Sequence, residues 1–165
     1  MRLPVLIPKT GTCSVKAAMT LDGLFYVNEH KNAGQVRDAV DGPVELGATI
    51  RHPEDRLVSI MNHLWGGNSD VSEEEGLGQA IEADGQIWRS ALQFIDGATR
   101  LFPFEGLPIL RWLGCTSVPH ENASRKRWSV AQLRYHPLWH VALANYEVDW
   151  QLYEMAQNQP GCVFR

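Results

Sequence analysis

Short apolar runs alternate along the chain with segments whose apolar residues recur at helical spacing. Leu3 to Ile7 reads as a buried strand, Pro8 and Gly11 enforce a turn, and Ser14 to Thr20 begin a helix. Leu24 to Asn28 reads as a short second strand, Ala33 to Val40 as a short helix ending at Asp41-Gly42-Pro43, and Val44 to Ile50 as a central strand. Leu57, Ile60, Met61 and Leu64 mark the inner stripe of a helix over Pro53 to Trp65, stopped by Gly66-Gly67. Ser72 and Glu75 have capping-box spacing, and Ile87, Trp88, Ala91, Leu92 and Ile95 predict a helix over Ile81 to Ile95. Leu101 to Phe104 returns to the sheet, Leu107 to Leu113 is a short helix closed by Gly114, and Leu138 to Gln157 is a long terminal helix. This alternation predicts an α/β fold with a parallel sheet flanked by helices, one domain over residues 1–165, and ligands at the carboxyl ends of the strands.

The turn after the first strand carries the candidate chemistry. The free N–H groups of a helix start bind phosphate or sulfate, and Lys9 adds a full positive charge to Thr10, Gly11, Thr12, Cys13 and Ser14. The pattern of Gly, four residues and Gly-Lys-Ser/Thr is absent, which disfavours a nucleotide kinase. After the Val44 to Ile50 strand, Arg51 offers a planar fork of donors, Pro53 suits a first helical position, and Ser59 presents a hydroxyl farther along. Arg56 reads as a helix-surface charge paired with Asp55 or Glu54.

Pro8-Lys9-Thr10-Gly11-Thr12 resembles the 5′-phosphosulfate loop of sulfotransferases, the carbohydrate/heparan-type group in particular, and Arg51-His52-Pro53 through Arg56 and Ser59 resembles their Arg-Asp-Pro-x-x-Arg-x-x-Ser motif. Phe104-Glu105-Gly106-Leu107, Pro119-His120-Glu121-Asn122-Ala123-Ser124 and Tyr146 to Tyr153 resemble later family segments in the same order. The resemblance implies a P-loop-like sulfotransferase fold and, as donor, 3′-phosphoadenosine 5′-phosphosulfate (PAPS), with no metal required. Lys9 to Ser14 would then hold the 5′ end, with the Thr12 and Ser14 hydroxyls supporting, and Arg51 and Ser59 the 3′-phosphate. The family places Thr or Ser where this chain has Cys13. An activated cysteine nucleophile is the alternative there, although no His partner is assigned to it. Glu29-His30 and the residues to Arg37 resemble a family stretch that implies His30 as the base, with Glu29 as second choice. Arg125 and Lys126 would close over the 3′-phosphate or form a solvated helix start. Trp128 could stack on adenine.

Composition narrows the setting. With 165 residues, 44% of them hydrophobic, the chain can build an ordinary core, and a net charge of -4 argues against nucleic acid as partner. Cys13, Cys115 and Cys162 lack metal or redox spacing, and no stretch approaches the roughly 20 apolar residues of a membrane span. The expectation is a cytoplasmic enzyme, free of membrane, acting on a small-molecule or carbohydrate acceptor. A catalytically reduced nucleotide-binding domain, or a phage or virus structural domain of the same fold, is the alternative.

Overall fold

The centre of the molecule is built from three short strands whose side chains are almost wholly buried: β1 (Arg2–Val5), β2 (Glu45–Ile50) and β3 (Thr99–Pro103). They pair in parallel in that order, Leu3 opposite Leu46 and Ala48 opposite Leu101. The structure, a computed structural model, describes residues 1–83, 85–118 and 127–164.

Helices cover both faces. Leu46, Ala48 and Ile50 point to a core shared with α2 (Ala33–Asp38) and α8 (Glu147–Asn158). Phe102 points to the opposite core, with α1 (Thr12–Leu21) and α5 (Pro108–Leu113). Gly47 has no side chain for a reason: a Cβ there would lie 2.6 Å from the Trp112 ring of α5, which crosses β2 at that point. A third core joins α3 (Pro53–Trp65) to α4 (Glu73–Glu82), α6 (Val130–Leu133) and α7 (Trp139–Ala144). Pro53 occupies the first turn of α3, and the Ser72–Glu75 capping box starts α4.

Four sequence expectations are corrected. The sheet is mixed, not parallel: after α8 the chain turns at residues 160–161, and β4 (Cys162–Val163) runs antiparallel to β3, with Leu101 opposite Cys162. Leu24 to Asn28 is no strand; Val27 is buried and Leu24 and Tyr26 pack against the α1–α5 core without joining the sheet, while Phe25 faces outward. The spacing over Ile81 to Ile95 is met by two 3-10 turns, Gln86–Trp88 and Ala91–Gln93; the Ser90 hydroxyl accepts from the Leu92 N–H and starts the second. The terminal helix breaks at Asn145–Tyr146, where the Tyr146 N–H turns back to Leu143, and its halves are α7 and α8.

Candidate functional site

All three parallel strands deliver residues to one place at their carboxyl ends. Beyond β1 the chain turns through Lys9, at φ 63, and Gly11, at φ 87, before α1 begins. Gly11 is required twice over, by its left-handed backbone and because a Cβ would meet Leu107 and Phe104 at 3.0 Å. The carbonyls of this turn are held by the protein's own donors. Ile7 O accepts from the Thr10 and Thr12 hydroxyls at 2.9 and 2.7 Å, Pro8 O from Arg56 Nε at 3.2 Å, and Lys9 O from Arg51 Nη1 at 3.4 Å. The N–H groups opening α1 have no partner one turn back, so the turn presents donors and withholds acceptors. The Thr10 and Thr12 hydroxyls are thus structural. The Thr10 N–H also donates to Ile7 O, at 3.4 Å, so support for an anion falls to the Thr12 backbone, a correction for Thr10 and for the Thr12 hydroxyl.

A cavity of about 430 Å³ opens over this turn. Lys9, Gly11, Thr12, Cys13 and Ser14 line it together with Arg51, Ser59 and His30. The structure therefore brings most of the sequence-predicted site residues together. Thr10 is buried beneath the cavity and does not line it. Glu29 is exposed, paired with Lys31 at 3.3 Å, and also outside the lining. Pro119, His120, Asn122, Ser124, Arg125 and Lys126 lie outside the described residues.

Sequence reasoning missed four lining residues: Lys16, His63, Ile87 and Phe104. His63 lies one helical turn beyond Ser59 and shares its face of α3, a spacing visible in the sequence. Phe104 follows β3, and the Arg51 guanidinium lies 4.6 Å from its ring centroid. No carboxylate is among the lining residues described.

The electrostatics follow from crowding cations in partial burial. Burial lowers the Lys9 ammonium from its ordinary value; Cys13 opposes this and Arg51 adds to it. Burial likewise lowers Arg51, against the pull of Asp55 and Glu105, and its Nε is buried without a hydrogen-bond partner. Burial, then Lys9, lowers His63. A site that disfavours its own positive charges gains most when an anion enters. His30 Nδ1 stands 2.5 Å from the Leu6 carbonyl. A carbonyl only accepts, so Nδ1 carries the hydrogen of this bond.

Two expected roles are overturned. Arg56 is not a surface charge: it is 1% exposed, and its Nη1 donates to Asp149 at 2.9 Å and its Nη2 to Arg89 O at 2.6 Å. Trp128 is buried against the third core, its backbone N–H and carbonyl held by the Asn62 amide, and has no open face for adenine. Among the described residues, no group of three or more His, Cys, Asp or Glu is placed to hold a metal, and no helix is long and apolar enough to cross a membrane. Comparison with protein-family models, with curated proteins and with solved structures returns no match.

Proposed function

We propose that the chain is a cytoplasmic sulfotransferase that moves a sulfuryl group from PAPS to an acceptor hydroxyl or amine, on a P-loop-like sulfotransferase fold. One observation carries the reading: the Lys9 turn with the start of α1, and Arg51 with Ser59, face a single cavity free of carboxylates among its described lining. Two cationic groups from different strand ends, Lys9 and Arg51, which meet where Arg51 Nη1 donates to the Lys9 carbonyl, suit a nucleotide carrying more than one phosphate. At about 430 Å³ the cavity falls within the 300–1,000 Å³ usual for small-ligand sites.

In this reading the backbone N–H groups opening α1 hold the 5′-phosphosulfate, and Arg51 and Ser59 hold the 3′-phosphate. The acceptor oxygen or nitrogen bonds to sulfur as the bond from sulfur to the bridging oxygen breaks, in line. The electron pair stays on that oxygen, where Lys9 offsets the developing charge. His30 takes the acceptor proton on Nε2. The three cysteines are unbridged, which suits a reducing compartment.

Titration calorimetry tests the donor. The chain should bind 3′-phosphoadenosine 5′-phosphate far more tightly than adenosine mono- or triphosphate, and equal affinity for the three would refute the assignment. Transfer of labelled sulfate across an acceptor panel then tests activity. Donor binding with no transfer to any class would favour the catalytically reduced alternative.

A further inference from the structure

Beneath the cavity, the buried Arg56 and Asp149 side chains tie four parts of the chain together. Each nitrogen of the Arg56 guanidinium reaches a different target: Nε the Pro8 carbonyl of the cavity turn, Nη1 the Asp149 carboxylate on α8, and Nη2 the Arg89 carbonyl. Asp149 in turn accepts the Ala91 N–H at 2.8 and 3.1 Å and the Ser90 hydroxyl. Both side chains are 1% exposed. Arg56 itself belongs to α3, the helix that presents Ser59 and His63 to the cavity.

Stability alone is a weak explanation for such a pair. Apolar residues of the same volume often serve as well or better, because desolvation offsets most of the attraction between buried charges. What apolar residues cannot do is grip a carbonyl. Pro8 directly precedes Lys9, whose left-handed backbone persists only where its surroundings enforce it.

We infer that Arg56 and Asp149 are positioning residues that fix the Pro8 carbonyl and thereby aim Lys9 and the start of α1 at the 5′ end of the bound nucleotide. This rests on the donor reading above. Arg51 touches the Lys9 carbonyl at 3.4 Å but is also held against the Phe104 ring, and Ser59 is held by α3 itself, so the larger effect falls on the 5′ half of the ligand. A lysine at position 56 keeps a charge for Asp149 but cannot span Pro8 and Arg89 at once.

The test compares two probes, 3′-phosphoadenosine 5′-phosphate and adenosine 3′-phosphate, which lacks the 5′ group. Calorimetry is run on the parent chain, on Arg56→Lys, and on the double variant Arg56→Met with Asp149→Asn. The double variant buries no unpaired charge at these positions and keeps an acceptor for Ala91 and Ser90, so it should remain folded though less stable than the parent, which circular dichroism checks. The parent prefers the bisphosphate. In both variants that preference falls about tenfold or more, while affinity for adenosine 3′-phosphate stays within about twofold of the parent. An undiminished preference in the double variant, or equal loss of both probes, overturns the inference and leaves the donor reading standing. A parent chain with no preference for the bisphosphate sinks the donor reading itself, and the inference with it. Should Arg56→Lys fail to fold, the double variant alone decides.

Discussion

Replacing Lys9 by glycine is expected to make the free protein more stable and the ligand-bound one weaker. A non-glycine residue in the left-handed region costs roughly 1–2 kcal/mol, and glycine's greater freedom in the unfolded chain returns about 0.4–1 kcal/mol of that. The net backbone gain is therefore about 0.5–1 kcal/mol, to which relief of a half-buried ammonium beside Arg51 adds in the same direction. For a chain of this length, each kcal/mol raises the thermal midpoint by about 2–4 °C. Lys9→Ala separates the two effects, since it removes the charge and keeps the left-handed cost. On the binding side, losing a hydrogen bond from a charged group costs about 1.5–3 kcal/mol, or about 10- to 150-fold in affinity for 3′-phosphoadenosine 5′-phosphate. Urea unfolding followed by tryptophan fluorescence reads stability, and calorimetry reads affinity. A glycine variant less stable than the alanine variant would refute the backbone argument. Parent-like affinity in either would refute the charge argument.

Three further outcomes follow from the same geometry. Arg51→Ala should weaken both 3′-phosphoadenosine 5′-phosphate and adenosine 3′-phosphate by about 1.5–3 kcal/mol and adenosine 5′-phosphate by less, since Arg51 reaches the 5′ end only through the Lys9 carbonyl, as read by calorimetry. His30→Asn keeps an amide donor for the Leu6 carbonyl but deletes the base, so sulfate transfer should fall by about 10²- to 10⁴-fold with donor affinity intact. Because the Lys9 ammonium is lowered from 10.5 in the free protein, the unfolded chain binds more protons between that lowered value and 10.5. Ligand-free stability should therefore rise with pH across this window, and donor affinity should fall across it as binding comes to require proton uptake. Calorimetry in buffers of different ionisation enthalpy measures that uptake, and Lys9→Ala should abolish it.

The sequence makes legible those parts of the fold that short-range rules govern. Pro53 starting α3, the Ser72–Glu75 box and the strand–turn–helix at Lys9 all follow from rules spanning a few residues. Leu24 to Asn28 misleads because apolar side chains can be buried against helices without any strand pairing beside them. Ile81 to Ile95 misleads because spacing by threes and fours suits successive 3-10 turns as well as a helix. β4 is only two residues long and carries no periodicity to detect. In the site, Lys9, Arg51 and Ser59 stand out through their local motifs. Arg56 does not, because its partner Asp149 is 93 positions away and nearer carboxylates offer a plausible local pairing.

The cavity is locally positive within a molecule whose net charge is -4. At long range a molecule of this net charge repels the polyanion proposed as its ligand, and attraction takes over only near the mouth. Much of that attraction comes from fixed backbone dipoles and half-buried cations, which dissolved ions reach poorly. Moderate salt should then speed ligand capture by screening the outer repulsion and cost comparatively little in residence time, the reverse of a surface basic patch.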